Sequence, residues 1–116
     1  ASNDIRAAIS VAAAYDLVTL DWGKLWTPQD VAPDVARKYA SPTEHVSKSS
    51  KPLLILHSDN DQSVPIDNAL EMVKVLETAG AEHTFHRYPE MGHMGINQEV
   101  IDRSLEFIAK NSAQSR

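Results

Sequence analysis

The chain has 116 residues, 42% of them hydrophobic and 23% charged, with a formal net charge of -5. This length corresponds to one domain or part of one, and the hydrophobic content excludes a disordered polymer. Scattered basic residues and few aromatic ones argue against a nucleic-acid partner. The absence of cysteine excludes disulfides and thiolate metal sites, and no apolar run approaches the roughly 20 residues that span a bilayer.

The N-terminal part of the sequence predicts a strand and then a loop. Ala1–Arg6 lacks the basic-then-apolar order of a signal peptide and does not begin with Met, so we expect a cut within a longer sequence. Small apolar residues followed by a polar break at Asp16 predict a short buried strand over Arg6–Ala12. Tyr15–Trp26 shows no clear period and predicts a loop.

Two short helices are predicted next. Thr27 followed by Pro28 is typical of a helix start, because a capping residue precedes proline at the first helical position. Pro33 interrupts this helix. We therefore expect a second helix from about Asp34 to Tyr39, and then a polar connection.

The stretch Pro52–Pro65 predicts the central strand and the candidate site. Four consecutive apolar residues, Leu53–Leu56, indicate a strand that is buried on both faces, as in a parallel sheet. The strand leads directly into Asp59, Asn60 and Asp61. In open α/β sheets, chemistry gathers at the carboxyl ends of the strands.

The remaining sequence predicts a helix, a strand and a helix. Apolar residues at helical spacing follow Pro65 and end at Gly80, His83–Tyr88 alternates as a strand does, and Asn97–Lys110 again has helical spacing. The alternation predicts an α/β fold with about three parallel strands and flanking helices. So small a sheet has unprotected edges, so we expect further strands from sequence before Ala1 or from another chain.

Two side chains at neighbouring strand ends are candidate catalytic groups. Asp61 follows the central strand, and His93 lies in the glycine-rich loop after the next strand. A carboxylate that meets an imidazole there fixes its tautomer and stabilises its cation. This pair would be half of a site for nucleophilic catalysis.

These residues resemble a known family. His57-Ser58-Asp59-Asn60-Asp61-Gln62-Ser63-Val64-Pro65, followed some thirty positions later by Gly92-His93, is similar to the C-terminal part of an α/β-hydrolase. The nearest branches are the dienelactone hydrolases, the prolyl oligopeptidase-like enzymes and the acyl esterases. Their pattern is His-Gly-x-x-Asp-x-x-Val-Pro, so Ser58 departs from it.

The resemblance implies a Ser-Asp-His triad in which Asp61 is the acid and His93 the base. It further implies cleavage of a carboxylic ester or peptide bond with no metal and no organic cofactor. The nucleophile of this family lies in a Gly-x-Ser-x-Gly turn, which the sequence does not contain. We therefore interpret residues 1–116 as a partial domain that needs the missing N-terminal part of the same fold and is inactive alone.

Other interpretations remain open at this stage. Asp59 and Asp61 would also suit helix caps, which we favour for Asp59 but not for Asp61. The Asp-x-Asp spacing also resembles the first motif of haloacid-dehalogenase-type phosphohydrolases, which need a later Lys and an acidic pair that holds magnesium, but only isolated acids follow here. His57 is expected to be a hydrogen-bonded structural histidine. From another class, a non-catalytic α/β module would bind a partner or form a homo-oligomer through its sheet edges.

Three aromatic residues are candidates for substrate binding. Tyr15, Trp22 and Trp26 lie in the loop after the first strand, where such loops shape substrate pockets. Covering the face of the sheet is an equally good interpretation of all three.

Overall fold

In the computed structural model, residues 5–20 and 32–114 are described. They form three strands and three helices, with a 3-10 turn at Pro42–Glu44. The elements in chain order are β1 (Ala8–Val11), α1 (Pro33–Ala40), β2 (Leu53–Ser58), α2 (Ile66–Ala79), β3 (His83–Tyr88) and α3 (Gln98–Gln114).

The strands form a parallel sheet in the order β1-β2-β3. Val11 is paired with Leu56 and Ser58 with Tyr88, so the carboxyl ends of β2 and β3 lie side by side. Within the described ranges, β1 and β3 are the outer strands, and each pairs only with β2. The predicted fold class, three parallel strands with flanking helices, is confirmed.

The core has one layer on each face of β2. Leu54 and Leu56 pack towards α3, whereas Ile55 packs towards α2. All three are at most 1% exposed, which explains why β2 shows an unbroken apolar run instead of an alternation. The buried partners are Ala12, Met94, Val100 and Phe107 on the α3 side, and Tyr15, Ala69, Met72, Leu76 and Ala81 on the α2 side.

Local backbone chemistry sets two of the boundaries. β1 is shorter than the predicted Arg6–Ala12 at both ends, and it stops before Ala12 because this residue has a φ of 51°, which takes the backbone out of the extended region. α2 ends as predicted at Gly80, whose φ of 72° is readily adopted only without a Cβ atom. β3 has the predicted bounds, His83–Tyr88.

The other two helices differ slightly from expectation. α1 begins at Pro33 instead of near Asp34, because proline suits the first turn of a helix. α3 begins after Asn97, whose side-chain oxygen accepts the Val100 N–H at 2.9 Å, and continues past Lys110 to Gln114. The helix start predicted at Thr27 lies outside the described residues. No described helix combines the length and apolar character that a membrane crossing requires.

Candidate active site

Asp61 is a buried carboxylate whose two oxygens have separate partners. It follows β2 by three residues, and its side chain is fully buried. Its Oδ1 accepts the backbone N–H groups of Ser63 and Val64, both at 2.9 Å. Its Oδ2 accepts a hydrogen bond from Nδ1 of His93, also at 2.9 Å. The turn therefore fixes one oxygen and leaves the other directed at the imidazole.

The hydrogen bonds keep Asp61 ionised although it is buried. Burial by itself would raise the pKa of this carboxyl group, because it disfavours the charged form. Hydrogen bonds from the Val64 amide, from His93 and from the Ser63 amide act in the opposite direction and prevail, so the pKa lies below its usual value. Asp61 is therefore a permanent negative charge at neutral pH.

His93 is half exposed and binds Asp61 through one of its two ring nitrogens. Its side chain is 52% exposed, in the loop between β3 and α3. Donation from Nδ1 to Asp61 places a proton on Nδ1, so in the neutral imidazole Nε2 carries the lone pair. Among the residues that the structure describes, no hydrogen bond involves Nε2 of His93. This tautomer is the one that a general base requires.

His57 adds a second imidazole beneath the site. Its side chain is fully buried, and Nε2 donates to the Val64 carbonyl at 2.7 Å and lies 3.5 Å from Oδ2 of Asp61. It thus fixes the turn that holds Asp61, as expected for a structural histidine. Only one of its nitrogens is hydrogen-bonded, because the buried Nδ1 has no partner within the described residues.

Asp59 does not cap α2, so the capping interpretation of this residue is wrong. Its carboxylate is paired with the Arg87 side chain across β2 and β3, and both side chains are partly exposed. The residue before α2 is Pro65, and no side chain caps that helix start. Asp61 instead accepts hydrogen bonds from the turn that precedes α2. It therefore stabilises this turn and also contacts His93.

The loops that carry Asp61 and His93 are also joined by polar contacts that the sequence analysis missed. The Met91 N–H donates to Ser58 Oγ at 2.8 Å, and the Gly92 N–H donates to Asn60 Oδ1 at 2.6 Å. Ser58 Oγ donates to Asn60 Oδ1 at 2.7 Å. The only sequence signal was the departure of Ser58 from the family pattern.

The three aromatic candidates are not assembled into a site by the described residues. Tyr15 is only 3% exposed, bonds Ser10 through its hydroxyl group and packs in the core layer beside α2. Its burial favours the interpretation that it covers the sheet face. Trp22 and Trp26 lie outside the described residues, and substrate binding by these aromatic residues stays a prediction.

The arrangement can accept and return a proton at Nε2 of His93. It supplies an oriented base and a buried counter-charge, but the sequence contains no Gly-x-Ser-x-Gly turn. Within residues 5–20 and 32–114, no group of three or more histidine, aspartate or glutamate side chains is arranged to hold a metal ion.

Comparison with known sequences identifies a matching family and several relatives. The sequence profile of the Prolyl oligopeptidase family matches residues 2–115. Dipeptidyl-peptidase 5 of Aspergillus fumigatus is 29% identical over 77 residues, which are 66% of this chain and 10% of the relative. A probable dipeptidyl-peptidase 5 of Aspergillus terreus is 31% identical over the same shares. The chain thus spans about a tenth of the length of these relatives.

Solved structures with the same fold include peptidases and esterases. Dipeptidyl peptidase 4 of Porphyromonas gingivalis has a TM-score of 0.72 and 21% identity, covering 91% of this chain and 16% of its own. A truncated carbohydrate esterase from gut microbiota has a TM-score of 0.69 and 22% identity, covering 93% of this chain and 43% of its own. At these identities the likeness concerns the fold alone.

The profile match spans almost the full sequence, and the solved structures share its sheet and helices. The resemblance based on the Asp61 motif and on Gly92-His93 is therefore confirmed. The chain belongs to the prolyl oligopeptidase family, a family of serine hydrolases with the α/β-hydrolase fold.

Proposed function

We propose that this chain supplies the acid and the base of a Ser-Asp-His triad that hydrolyses carboxylic esters or peptide bonds. The observation that carries the proposal is the 2.9 Å hydrogen bond from Nδ1 of His93 to the buried carboxylate of Asp61. It joins the two residues that the family pattern assigns to these roles, and it leaves Nε2 of His93 without a hydrogen-bond partner among the described residues.

In this mechanism, a serine hydroxyl attacks the carbonyl carbon of the substrate while Nε2 of His93 takes its proton. Asp61 stays ionised and stabilises the imidazolium through the bond to Nδ1. The imidazolium then gives the proton to the departing alcohol or amine, which leaves an acyl-enzyme. Water attacks the acyl group by the same route, and its proton returns through His93 to the serine.

The serine and the donors that stabilise the oxyanion belong, in this proposal, to a segment outside residues 1–116. The sequence lacks the nucleophile turn, and this chain covers less than half of the esterase chains with the same fold. The isolated chain is therefore expected to be inactive. The contact between Asp61 and His93 favours a hydrolase over a non-catalytic module, which needs no such pair.

The test compares two preparations, the 116-residue chain and the longer product that includes the residues encoded before Ala1. Each is assayed with fluorogenic short-chain esters and with dipeptidyl amides. We expect turnover only from the longer product, and Asp61→Asn or His93→Gln in it should reduce kcat by about 10³- to 10⁴-fold.

Asp59→Asn is the matched control, because it changes a carboxylate in the same loop that is bonded to Arg87 and not to His93. This variant should keep its rate within about twofold. Full activity of Asp61→Asn would contradict the proposed triad. Turnover by the isolated chain that His93→Gln abolishes would contradict the assignment of the nucleophile to another segment.

A further inference from the structure

Two hydrogen bonds connect the end of β2 and the loop after it with the loop after β3, next to the contact between Asp61 and His93, and a third links their two acceptor side chains. Ser58 Oγ accepts the N–H of Met91, and Asn60 Oδ1 accepts the N–H of Gly92. Ser58 Oγ also donates to Asn60 Oδ1, so the two side chains form one unit. We call Ser58 and Asn60, with the two amides they bind, the loop clamp.

We propose that Ser58 and Asn60 are positioning residues that hold His93 in line with Asp61. The inference rests on the proposed function, since the orientation of His93 matters to turnover only if it acts as the base. Met91 and Gly92 immediately precede His93, so fixing their amides fixes the start of the segment that carries the imidazole. Ser58 and Asn60 lie just before Asp61. The same short segment therefore positions both Asp61 and, through the two amides, His93.

The burial of Ser58 makes its contact effective. Ser58 is completely buried, so water cannot replace its hydroxyl group as the acceptor for the Met91 amide. A glycine at this position, as in the family pattern, has no side-chain acceptor to offer. The serine therefore supplies a connection that the family pattern does not provide.

The need for a clamp follows from the backbone of the histidine loop. Gly92 has a φ of 59°, and no heavy atom would lie within 4 Å of a Cβ atom placed there. The Cβ side of Gly92 therefore faces open space, and glycine leaves the backbone many alternative conformations. His93 itself is 52% exposed. Met94 packs in the core after His93, and the polar contacts from Ser58 and Asn60 restrain the residues before it.

The first experiment measures the clamp without any turnover, in the 116-residue chain. Amide exchange of Met91 and Gly92 and the ¹H signal of the His93 Nδ1–H are recorded by NMR in the unmodified chain, Ser58→Ala and Asn60→Ala. We expect about tenfold faster exchange at Met91 in Ser58→Ala and at Gly92 in Asn60→Ala. The Nδ1–H signal should broaden or disappear in both.

Two further variants separate positioning from general stability. Gln62→Ala changes an exposed side chain in the same loop and should leave both readouts unchanged. Ser58→Thr keeps a hydroxyl group on a strand-compatible residue and should restore Met91 protection. Exchange at Ile55, in the centre of β2, should stay slow in every variant. Asn60 is exposed, so Asn60→Ala tests the proposal even if Ser58→Ala fails to fold.

The second experiment measures the kinetic consequence in the longer, nucleophile-containing product. Asn60→Ala should lower kcat about tenfold and leave KM within about twofold, because the loss affects the base and not substrate binding. Unchanged Nδ1–H signal and amide exchange in Asn60→Ala would overturn the clamp whatever the activity. Altered signals without any hydrolysis by the unmodified longer product would instead overturn the proposed function and leave the clamp standing.

Discussion

Two acidic regions of the molecule place carboxyl groups in opposite environments. At the carboxyl end of β2, Asp61 faces only hydrogen-bond donors, and its pKa lies below the usual value. Beside α2, Glu71 lies next to the carboxyl group of Asp16, which raises the pKa of Glu71. These two groups line a surface pocket of about 290 Å³. One region therefore holds a fixed charge and the other a pair of competing acids.

Glu71 shows how a carboxyl group behaves when its neighbour is another acid instead of hydrogen-bond donors. Burial raises the pKa of Glu71, and the hydrogen bond and charge of Asp16 raise it further to about 6, with a smaller contribution from Glu44. Asp61 experiences burial too, yet two backbone amides and an imidazole reverse its effect. The neighbours of a carboxyl group, more than its burial, decide whether it can serve as a counter-charge at neutral pH.

Removing the carboxylate from the donor-rich region should have the largest effect on stability. Asp61→Ala is expected to lower the free energy of unfolding by about 2 to 3 kcal/mol at pH 7, because the amides of Ser63 and Val64 lose their acceptor in a buried turn. Asp59→Ala removes only a partly exposed ion pair and should cost less than about 1 kcal/mol. Urea denaturation measures both values.

The difference between Asp61→Ala and the unmodified chain should also depend on pH. The folded-state pKa of Asp61 is lowered, so its contribution is complete above the unfolded value of about 3.9 and is lost as the pH falls through the folded pKa. The two unfolding curves should therefore converge in acid. If the difference in the free energy of unfolding stayed constant from pH 7 to pH 2, Asp61 would not be the stabilising charge described above.

Relieving the acidic pair should have a smaller and opposite effect. Glu71→Gln is expected to stabilise the protein above pH 6, because the raised pKa means that ionisation of Glu71 opposes folding. The sign follows from a folded pKa of about 6 against an unfolded value near 4.5: stability contributed by the protonated group is lost as the pH rises through 6. After allowance for solvent screening, the gain at pH 8 should be about 0.5 to 1 kcal/mol.

Glu77→Gln is the matched control for this measurement, since it removes the same charge from an exposed position on α2. Thermal unfolding between pH 4 and pH 8 should show a growing gain for Glu71→Gln only. Equal gains in both variants would indicate a general effect of net charge.

The smallest effect concerns the titration of a single group. Asp16→Asn keeps an oxygen that can accept the Val18 amide but removes the charge facing Glu71. The pKa of Glu71 should then fall from about 6 towards its ordinary value, as measured from the ¹³C shift of its carboxyl group. A pKa that remains near 6 would show that burial alone determines it, and the contrast with Asp61 would need another explanation.

The sequence was most informative where one strong pattern determined the local structure. The unbroken apolar run predicted β2, which precedes Asp61, and Gly80 marked the end of α2, which follows Asp61. The parallel arrangement then brought Asp61 and His93 to one edge, as expected from the carboxyl ends of adjacent strands. The β1 boundary was less accurate, because the positive φ of Ala12 is not favoured by its residue type.

Contacts between loops could not be predicted in the same way. Asp59 and Asp61 are both acids near a helix start, and only the register of β2 against β3 places Arg87 beside the first of them. The bonds from Ser58 and Asn60 to the histidine loop depend likewise on how two loops meet in space. Such pairings connect residues about thirty positions apart, so no local pattern encodes them.

The open side of β1 is expected to promote association of this chain when it is concentrated. Its outward amide and carbonyl groups face no other strand within the described residues, and Ile9 is 37% exposed beside them. Unpaired backbone groups at the edge of a sheet can form hydrogen bonds with another extended polypeptide. Since β1 has only four residues, each such addition is weak, so turbidity from the isolated chain should rise steeply with concentration and reverse on dilution.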